Sequence, residues 1–348
     1  MKIKTINAWR GLMAVVVVTF HSGIGCLWNW TYSGVEFFFL ASAFLLAMRH
    51  PFDRLTMQGY RAFVLQHASR LYPLNWLALA LLVLLTCVFH AGIIDWTNVT
   101  LTGLLVQSWS PVHDMHYGLN PVAWFMSVLI FCYLIYPLLA RLIGRMRLRY
   151  KVLLAAILMA LLAIILVPLS LEGREAVFVN PLAHVVDFTF GMMLLHLYHV
   201  VKDRYPRVGF VAASAIEVAL LLLLILAIVV SVKTTWFKPW EDVLLWMLPQ
   251  GGILLAMAWL DGQEGLLGRL LLCRPLQWLG DISFEVFMLQ FVAFLLFNYV
   301  ISPIAGHYGL LIYDYKGWCV WLVLLPLAWA VNRFFTRPVT AFLNNRVQ

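Results

Sequence analysis

The chain has 348 residues, of which 63% are hydrophobic and 11% charged, with a formal net charge of +8. A soluble domain carries about a quarter charged residues, and one core of this length cannot hide so much apolar surface, so a soluble globular fold is excluded. The basic residues fall in short runs between long apolar stretches and not in a groove-like cluster interleaved with aromatics, which argues against nucleic acid as a partner and for membrane lipid as the surroundings.

A hydrocarbon core of about 30 Å needs about 20 mostly apolar residues per helix. The first such segment is 7–25. Lys2 and Lys4 precede it, but Arg10 interrupts it and no A-x-A-like site follows, so it reads as a retained helix and not a signal peptide. A second span at 33–49 is followed by a polar, partly amphipathic stretch, 50–71, expected to lie along the membrane interface. Further spans are predicted at 72–92, 121–140, 152–170, 181–200, 208–232, 243–260, 277–301 and 318–336. The expected fold is all-α: a polytopic membrane protein with about ten transmembrane helices, one domain over 1–348, and no appended soluble domain, long linker or internal repeat.

Orientation follows from the basic residues. If the N-terminus, the connections after even-numbered helices and the C-terminal tail share one side, only Arg174, Lys233, Lys238 and Lys316 fall on the other, out of 24 Lys and Arg. By the positive-inside rule both termini are then cytoplasmic. The five cysteines (Cys26, Cys87, Cys132, Cys273, Cys319) are scattered, without metal-ligand spacing or a disulfide framework, and no metal is expected.

Ionisable groups at membrane depth cost several kcal/mol unless paired or hydrated, so each is a functional candidate. Arg10 and His21 share the first span. Eleven residues at 100° each bring both side chains to one face, about 16 Å apart along the axis. A snorkelling anchor at Arg10 and an interhelical hydrogen bond at His21 also fit that position. Glu36 lies in the first turns of the second span, at a depth His21 reaches. Paired with His21, its carboxylate would fix the imidazole tautomer and raise its basicity. The alternative is a helix N-terminal acid facing water. His184 and Asp187, three residues apart, form a local pair on one helix face. His196, His199, Glu217, Asp281 and Glu285 read as groups that stabilise helix packing or line a cavity, without direct chemistry.

Five segments then fall in a recognisable order. They are Trp9-Arg10-Gly11 with ten residues between the arginine and His21, Gly34-Val35-Glu36-Phe37-Phe38-Phe39 running on to Ser42-Ala43-Phe44-Leu45, and Arg70-Leu71-Tyr72-Pro73-Leu74-Asn75-Trp76. Ala123-Trp124-Phe125-Met126-Ser127-Val128 through Tyr133-Leu134-Ile135-Tyr136-Pro137 and Leu279-Gly280-Asp281-Ile282-Ser283-Phe284 complete the series. In this order they resemble the acyltransferase family 3 membrane proteins over most of the chain. The departures are Glu36 for an Asp, Ala43 for a Gly, His67 for the first arginine of an Arg-x-x-Arg, Leu129 for a Glu and Gln290 for a His.

The resemblance implies acyl transfer, usually of acetyl, from cytoplasmic acyl-coenzyme A to a hydroxyl of an extracytoplasmic sugar, polysaccharide or lipid-linked glycan. It implies a multi-pass protein of the bacterial inner membrane, with membrane lipids around it. It also assigns His21, Glu36 and Arg10 to catalysis, and Arg70, Arg10 and Ser42 to the acetyl-CoA donor. His21 acts either as general base for the hydroxyl or as the group that takes the acyl itself. Two other readings are a transporter or flippase for a polysaccharide precursor, which calls for paired broken helices and an internal repeat, and a non-catalytic relative, which the changes at Leu129 and Gln290 favour.

Overall fold

The structure is a computed structural model that describes residues 2–24, 31–51, 56–166, 168–234, 245–310, 312 and 315–347. Cys26, Arg54, Lys238 and residues 25, 167, 243 and 244 of the predicted spans lie outside these. Every regular element among the described residues is helical. In chain order they are α1 (Lys4–His21), α2 (Thr31–Arg49), α3 (Met57–Phe89), α4 (Trp96–Leu104), α5 (His113–Tyr117), α6 (Trp124–Arg145), α7 (Leu148–Leu166) and α8 (Leu171–Phe178). There follow α9 (Val185–Arg204), α10 (Phe210–Lys233), α11 (Met247–Trp259), α12 (Leu266–Leu271), α13 (Arg274–Asp281) and α14 (Ser283–Leu296). A π-helical turn, Phe297–Ile301, joins α14 to α15 (Ser302–His307), and a second, Asn332–Thr336, joins α16 (Lys316–Val331) to α17 (Arg337–Val347).

Seven of these helical runs are long and apolar enough to cross a membrane. They are α2, α3, α6, α7, α10, the α14–α15 run and the α16–α17 run. The predicted spans 7–25, 181–200 and 243–260 correspond to α1, α9 and α11, which fall short of that standard. For α11 the cause is length, 13 residues. For α1 and α9 it is polarity: Lys4, Asn7, Arg10 and His21 on the first, Asp187, His196 and His199 on the second. Lys4 and His199 are exposed towards the helix ends, and the others are tolerated because protein packs around both helices. α1 packs against α2, α11, α12, α13 and α14, and α9 against α2, α6, α7 and α11.

Burial separates this centre from a lipid-facing rim. Two thirds (67%) of the α2 span is buried, against 28% of α10 and 11% of α7. Away from their ends the large exposed side chains of α7 and α10 are aliphatic, among them Leu161, Ile164, Leu222 and Leu226. An apolar face this continuous matches hydrocarbon and not water. In the centre, Phe37, Phe39 and Phe44 of α2 and Phe188 of α9 are fully buried. Gln250 ties three central helices together, accepting from Trp9 Nε1 (3.1 Å) and donating to Ser33 Oγ (2.6 Å).

The 50–71 stretch differs from expectation. From Met57 onward it belongs to α3, a single helix of 33 residues. At 1.5 Å per residue this helix is about 50 Å long, so it crosses a core of about 30 Å and projects well beyond it. Thr56 caps its start by accepting the Gly59 N–H at 3.1 Å. Pro73 inside it removes one backbone donor, a loss that neighbouring helices accommodate in membrane proteins. Polarity alone had suggested an interfacial segment, but nothing between Met57 and Pro73 stops a helix.

Two acids left without a role in the sequence hold the fold. Asp281 accepts from Lys2 and from Asn7 Nδ2 (3.0 Å), tying the start of α1 to α13. Glu217, buried on α10, takes three backbone N–H groups at the start of α12: Gly265 and Gly268 on Oε1 (both 3.1 Å) and Leu267 on Oε2 (2.8 Å). Removing an acceptor from a buried donor costs about 1–3 kcal/mol each. Glu217→Ala is therefore expected to lower the thermal midpoint in detergent by several degrees, with Glu217→Gln, which keeps one acceptor oxygen, falling in between. Equal midpoints for Glu217→Ala and wild type would remove this role.

Candidate active site

The five predicted site residues fall at three places. The first is at the N-terminal part of α1. Arg10 is half-buried there, and Arg70, Tyr133, Glu285 and Arg49 lie within electrostatic reach of it. The arginines come from α1, α2 and α3, and Tyr133 and Glu285 from α6 and α14. Arg49 and Arg70 are exposed and Tyr133 is buried, so the cluster grades from an open, basic mouth to a polar floor. On that floor the Ser42 hydroxyl lies near the Tyr133 hydroxyl. Arg10, Arg70 and Ser42 are thus brought together around one tyrosine.

Glu285 supplies the negative charge of this site. Its Oε1 accepts from Asn332 Nδ2 at 2.9 Å, and Asn332 also donates to the Asp281 carbonyl at 3.3 Å. Asn332 opens the second π-helical turn, a distortion that recurs at functional sites. The His67 ring packs 4.8 Å from Tyr133, its Nδ1 held 2.8 Å from the Phe63 carbonyl. At the same end His50, just past α2, has its pKa lowered by burial first and by the Arg49 cation second, so it is neutral at pH 7 and adds no charge to the arginines.

The second place is the C-terminal end of α1, about 16 Å further along its axis. His21 sits with its ring edge-on to Phe291 (5.6 Å between centroids), near the Gln290 side chain and the Val17 carbonyl. Its Nδ1 is fully buried and makes no close hydrogen bond. His21 lines a cavity of about 410 Å³ together with Thr86, Phe291, Phe294, Asn298 and Lys316. Gln290, where the resemblance has histidine, is therefore a neighbour of His21; its Nε2 donates to the Phe287 carbonyl at 2.7 Å.

Glu36 is at the third place, and the expected pairing with His21 is not formed. The Glu36 carboxylate is buried beside Asp187 of α9 instead. The reason lies on α2 itself. Gly34 is the position where α2 meets α1: a Cβ there would come 3.0 Å from the Met13 carbonyl oxygen. Two residues further on is a rotation of about 200°, which turns Glu36 away from α1. Leu40 and Ala43, which share the face of Glu36, pack on Gly191 of α9, where a Cβ would come 2.7 Å from the Leu40 carbonyl oxygen.

On that face Asp187 holds His184 through a short Nδ1 hydrogen bond, and His184 Nε2 donates to the Phe178 carbonyl at 2.5 Å. Phe39 stacks on the His184 ring at 4.3 Å, with Trp124 beyond it at 5.7 Å. The local His184–Asp187 pair is thus present. Its chemistry is that of a buried clamp between α2, α6, α8 and α9. Among the described residues no three His, Cys, Asp or Glu side chains are grouped to hold a metal ion.

This geometry sets a basic mouth and a histidine-lined cavity at opposite ends of one helix. A family model described as "Acyltransferase domain" matches residues 3–332, nearly the whole chain. The chain belongs to the acyltransferase 3 family. No match is found among curated proteins or solved structures. An acyltransferase 3 protein with this all-helical fold and seven apolar spans is a multi-pass membrane acyltransferase. Sequence reading passed over Tyr133 and Glu285. Tyr133 stands inside the quoted Tyr133–Pro137 segment, and Glu285 was among the intramembrane acids set aside, so both left a trace in the chain.

Proposed function

We propose that the protein transfers an acyl group, acetyl in the simplest case, from acyl-coenzyme A on the cytoplasmic side to a hydroxyl of a glycan or lipid-linked sugar on the other. In this reading α1, α9 and α11 complete a ten-helix bundle in a bacterial inner membrane, with both termini cytoplasmic. The observation that carries the proposal is the separation of Arg10 and His21 on α1. The basic mouth at one end suits the donor's phosphates, and the cavity at the other suits an acceptor arriving from the far side.

Arg49 and Arg70 at the mouth bind phosphate oxygens by charge-assisted hydrogen bonds. Arg10, held between Tyr133 and Glu285, meets the donor deeper, and Ser42 lines its path. The thioester reaches His21 along the helix. There His21 Nε2 takes the proton of the acceptor hydroxyl as its oxygen attacks the thioester carbonyl. The carbon–sulfur bond breaks, and the thiolate of coenzyme A receives the proton back from His21. A two-step route, in which His21 carries the acyl group between donor and acceptor, uses the same atoms and also leaves the thiol protonated. Glu36 has no part in either; its carboxyl is buried on the α9 side of α2, near Asp187.

A charge-assisted hydrogen bond is worth about 1.5–3 kcal/mol, and 1.4 kcal/mol is a factor of ten. Arg10→Ala and Arg70→Ala are each expected to raise the KM for acetyl-coenzyme A by about tenfold to a hundredfold, measured by label transfer to total glycans in membranes. Donor KM values within about twofold of wild type for both variants would dismiss the arginine cluster as the donor site. Absence of label transfer by the wild type with acetyl and longer acyl donors would dismiss the enzyme reading itself.

A further inference from the structure

The cavity beside His21 has features that general acyl transfer does not call for. Its volume of about 410 Å³ falls in the range of small-ligand sites, about 300–1,000 Å³. Lys316 lines it, one of the four basic residues that the sequence assigns to the far side. Lys316 is also the first residue of α16, and Tyr315 before it provides no side-chain cap, so the positive end of the helix adds to the lysine charge. The Lys316 Nζ stands 5.8 Å from the centre of the Phe294 ring.

Two further groups shape the wall. Asn298 lies in the π-helical turn Phe297–Ile301, and its Oδ1 is buried without a hydrogen-bond partner. A buried acceptor left open costs free energy unless something donates to it, and a sugar hydroxyl is such a donor. Phe291 and Phe294 offer flat apolar surface 5.4 Å apart in an edge-to-face arrangement, suited to the C–H face of a pyranose ring. The cavity therefore combines an apolar platform, a hydroxyl acceptor and a cation next to His21.

We propose that this cavity is the acceptor site and that it takes an anionic sugar, bearing a carboxylate or a phosphate. Lys316 holds the negative charge, Asn298 Oδ1 accepts from one hydroxyl, and the reacting hydroxyl faces His21. The proposal rests on the acyltransferase reading and narrows its acceptor. Lys316 is a specificity-determining residue here; the bond-making step stays with His21.

The test uses the full chain in nanodiscs with labelled acetyl-coenzyme A and three soluble acceptors: methyl glucuronide, glucose 1-phosphate and methyl glucoside. Wild type is expected to use one or both anionic acceptors at least tenfold better, in kcat/KM, than the neutral glucoside. Lys316→Met is expected to lose that preference through KM, and Lys316→Arg to keep it. The glucuronide and the 1-phosphate tell a carboxylate from a phosphate. Indifference of the wild type to acceptor charge, or an equal loss on all three acceptors in Lys316→Met, would overturn the proposal. If the wild type neither transfers nor hydrolyses acetyl, the acyltransferase reading fails; calorimetric binding of methyl glucuronide and glucose 1-phosphate then decides the anion site alone. Binding weakened tenfold by Lys316→Met sustains that site, and no binding of either removes it.

Discussion

Alanine at His21 is expected to slow acyl transfer by about 100- to 10,000-fold while leaving the KM for acetyl-coenzyme A within about twofold. The rate loss is the usual contribution of a positioned acid–base group. The unchanged KM follows from distance, because His21 lies about 16 Å along α1 from Arg10. That combination separates a chemical role from a structural one. A side chain that only packed against Phe20 and Phe291 would, when removed, disturb stability and both kinetic constants together. His21→Gln is the companion variant, since it keeps a polar group of similar reach without a basic ring nitrogen. It should be as slow as His21→Ala and fold as well as wild type. Single turnover followed by rapid quenching then distinguishes the two routes: an acylated protein appears before product only if His21 carries the acyl group. Transfer within about threefold of wild type in both variants would take the chemistry away from His21.

The separation of Arg10 from His21 was legible because one helix fixes it, and the 3.6-residue period converts eleven residues into a face and a distance without reference to anything else. Glu36 shows where that reasoning stops. Its burial was legible from its place in the second span, but its direction depends on which neighbour takes which face of α2. Gly34, two residues earlier, is the clue to the α1 side, yet only Gly191, far along the chain on α9, shows that the opposite face is occupied by that helix. Arg10's neighbours were harder still. Tyr133 and Glu285 reach it from α6 and α14, and no spacing in the chain encodes that approach. The long α3 was missed for another reason: polarity marks what faces water, whereas continuity of a helix depends on the absence of a break. The seven apolar runs stood out because lipid contact demands apolar residues, and α1 and α9 are more polar because protein surrounds them.

Substitution of Gly280 is expected to have the largest effect on the fold, and it links two segments at opposite ends of the chain. A Cβ on Gly280 would lie 2.1 Å from the Asn7 carbonyl oxygen, and a Cβ on Gly11 would lie 2.7 Å from the Gly280 backbone nitrogen. The backbones of α1 and α13 are therefore in direct contact, and neither partner is a flexible side chain that can turn aside. Gly280→Ala must move one helix off the other. Overpacking of this kind costs about 1–3 kcal/mol, sometimes more, and here it also strains the bonds from Asn7 Nδ2 to the Gln277 carbonyl (3.1 Å) and Asp281 (3.0 Å). Helix propensity pushes the other way, since alanine is better than glycine by about 1 kcal/mol inside a helix. Gly306→Ala isolates that favourable effect, because nothing lies within 4 Å of its added methyl. The expected result is opposite in sign at the two sites: a lower thermal midpoint for Gly280→Ala and an equal or higher one for Gly306→Ala. Because Arg10 lies one turn beyond Asn7 on α1, Gly280→Ala should also raise the KM for acetyl-coenzyme A, although residue 280 is outside the donor site. A midpoint unchanged at Gly280→Ala would mean that α1 does not rest on α13, and Arg10 would then have to meet Arg70 and Glu285 from a different position.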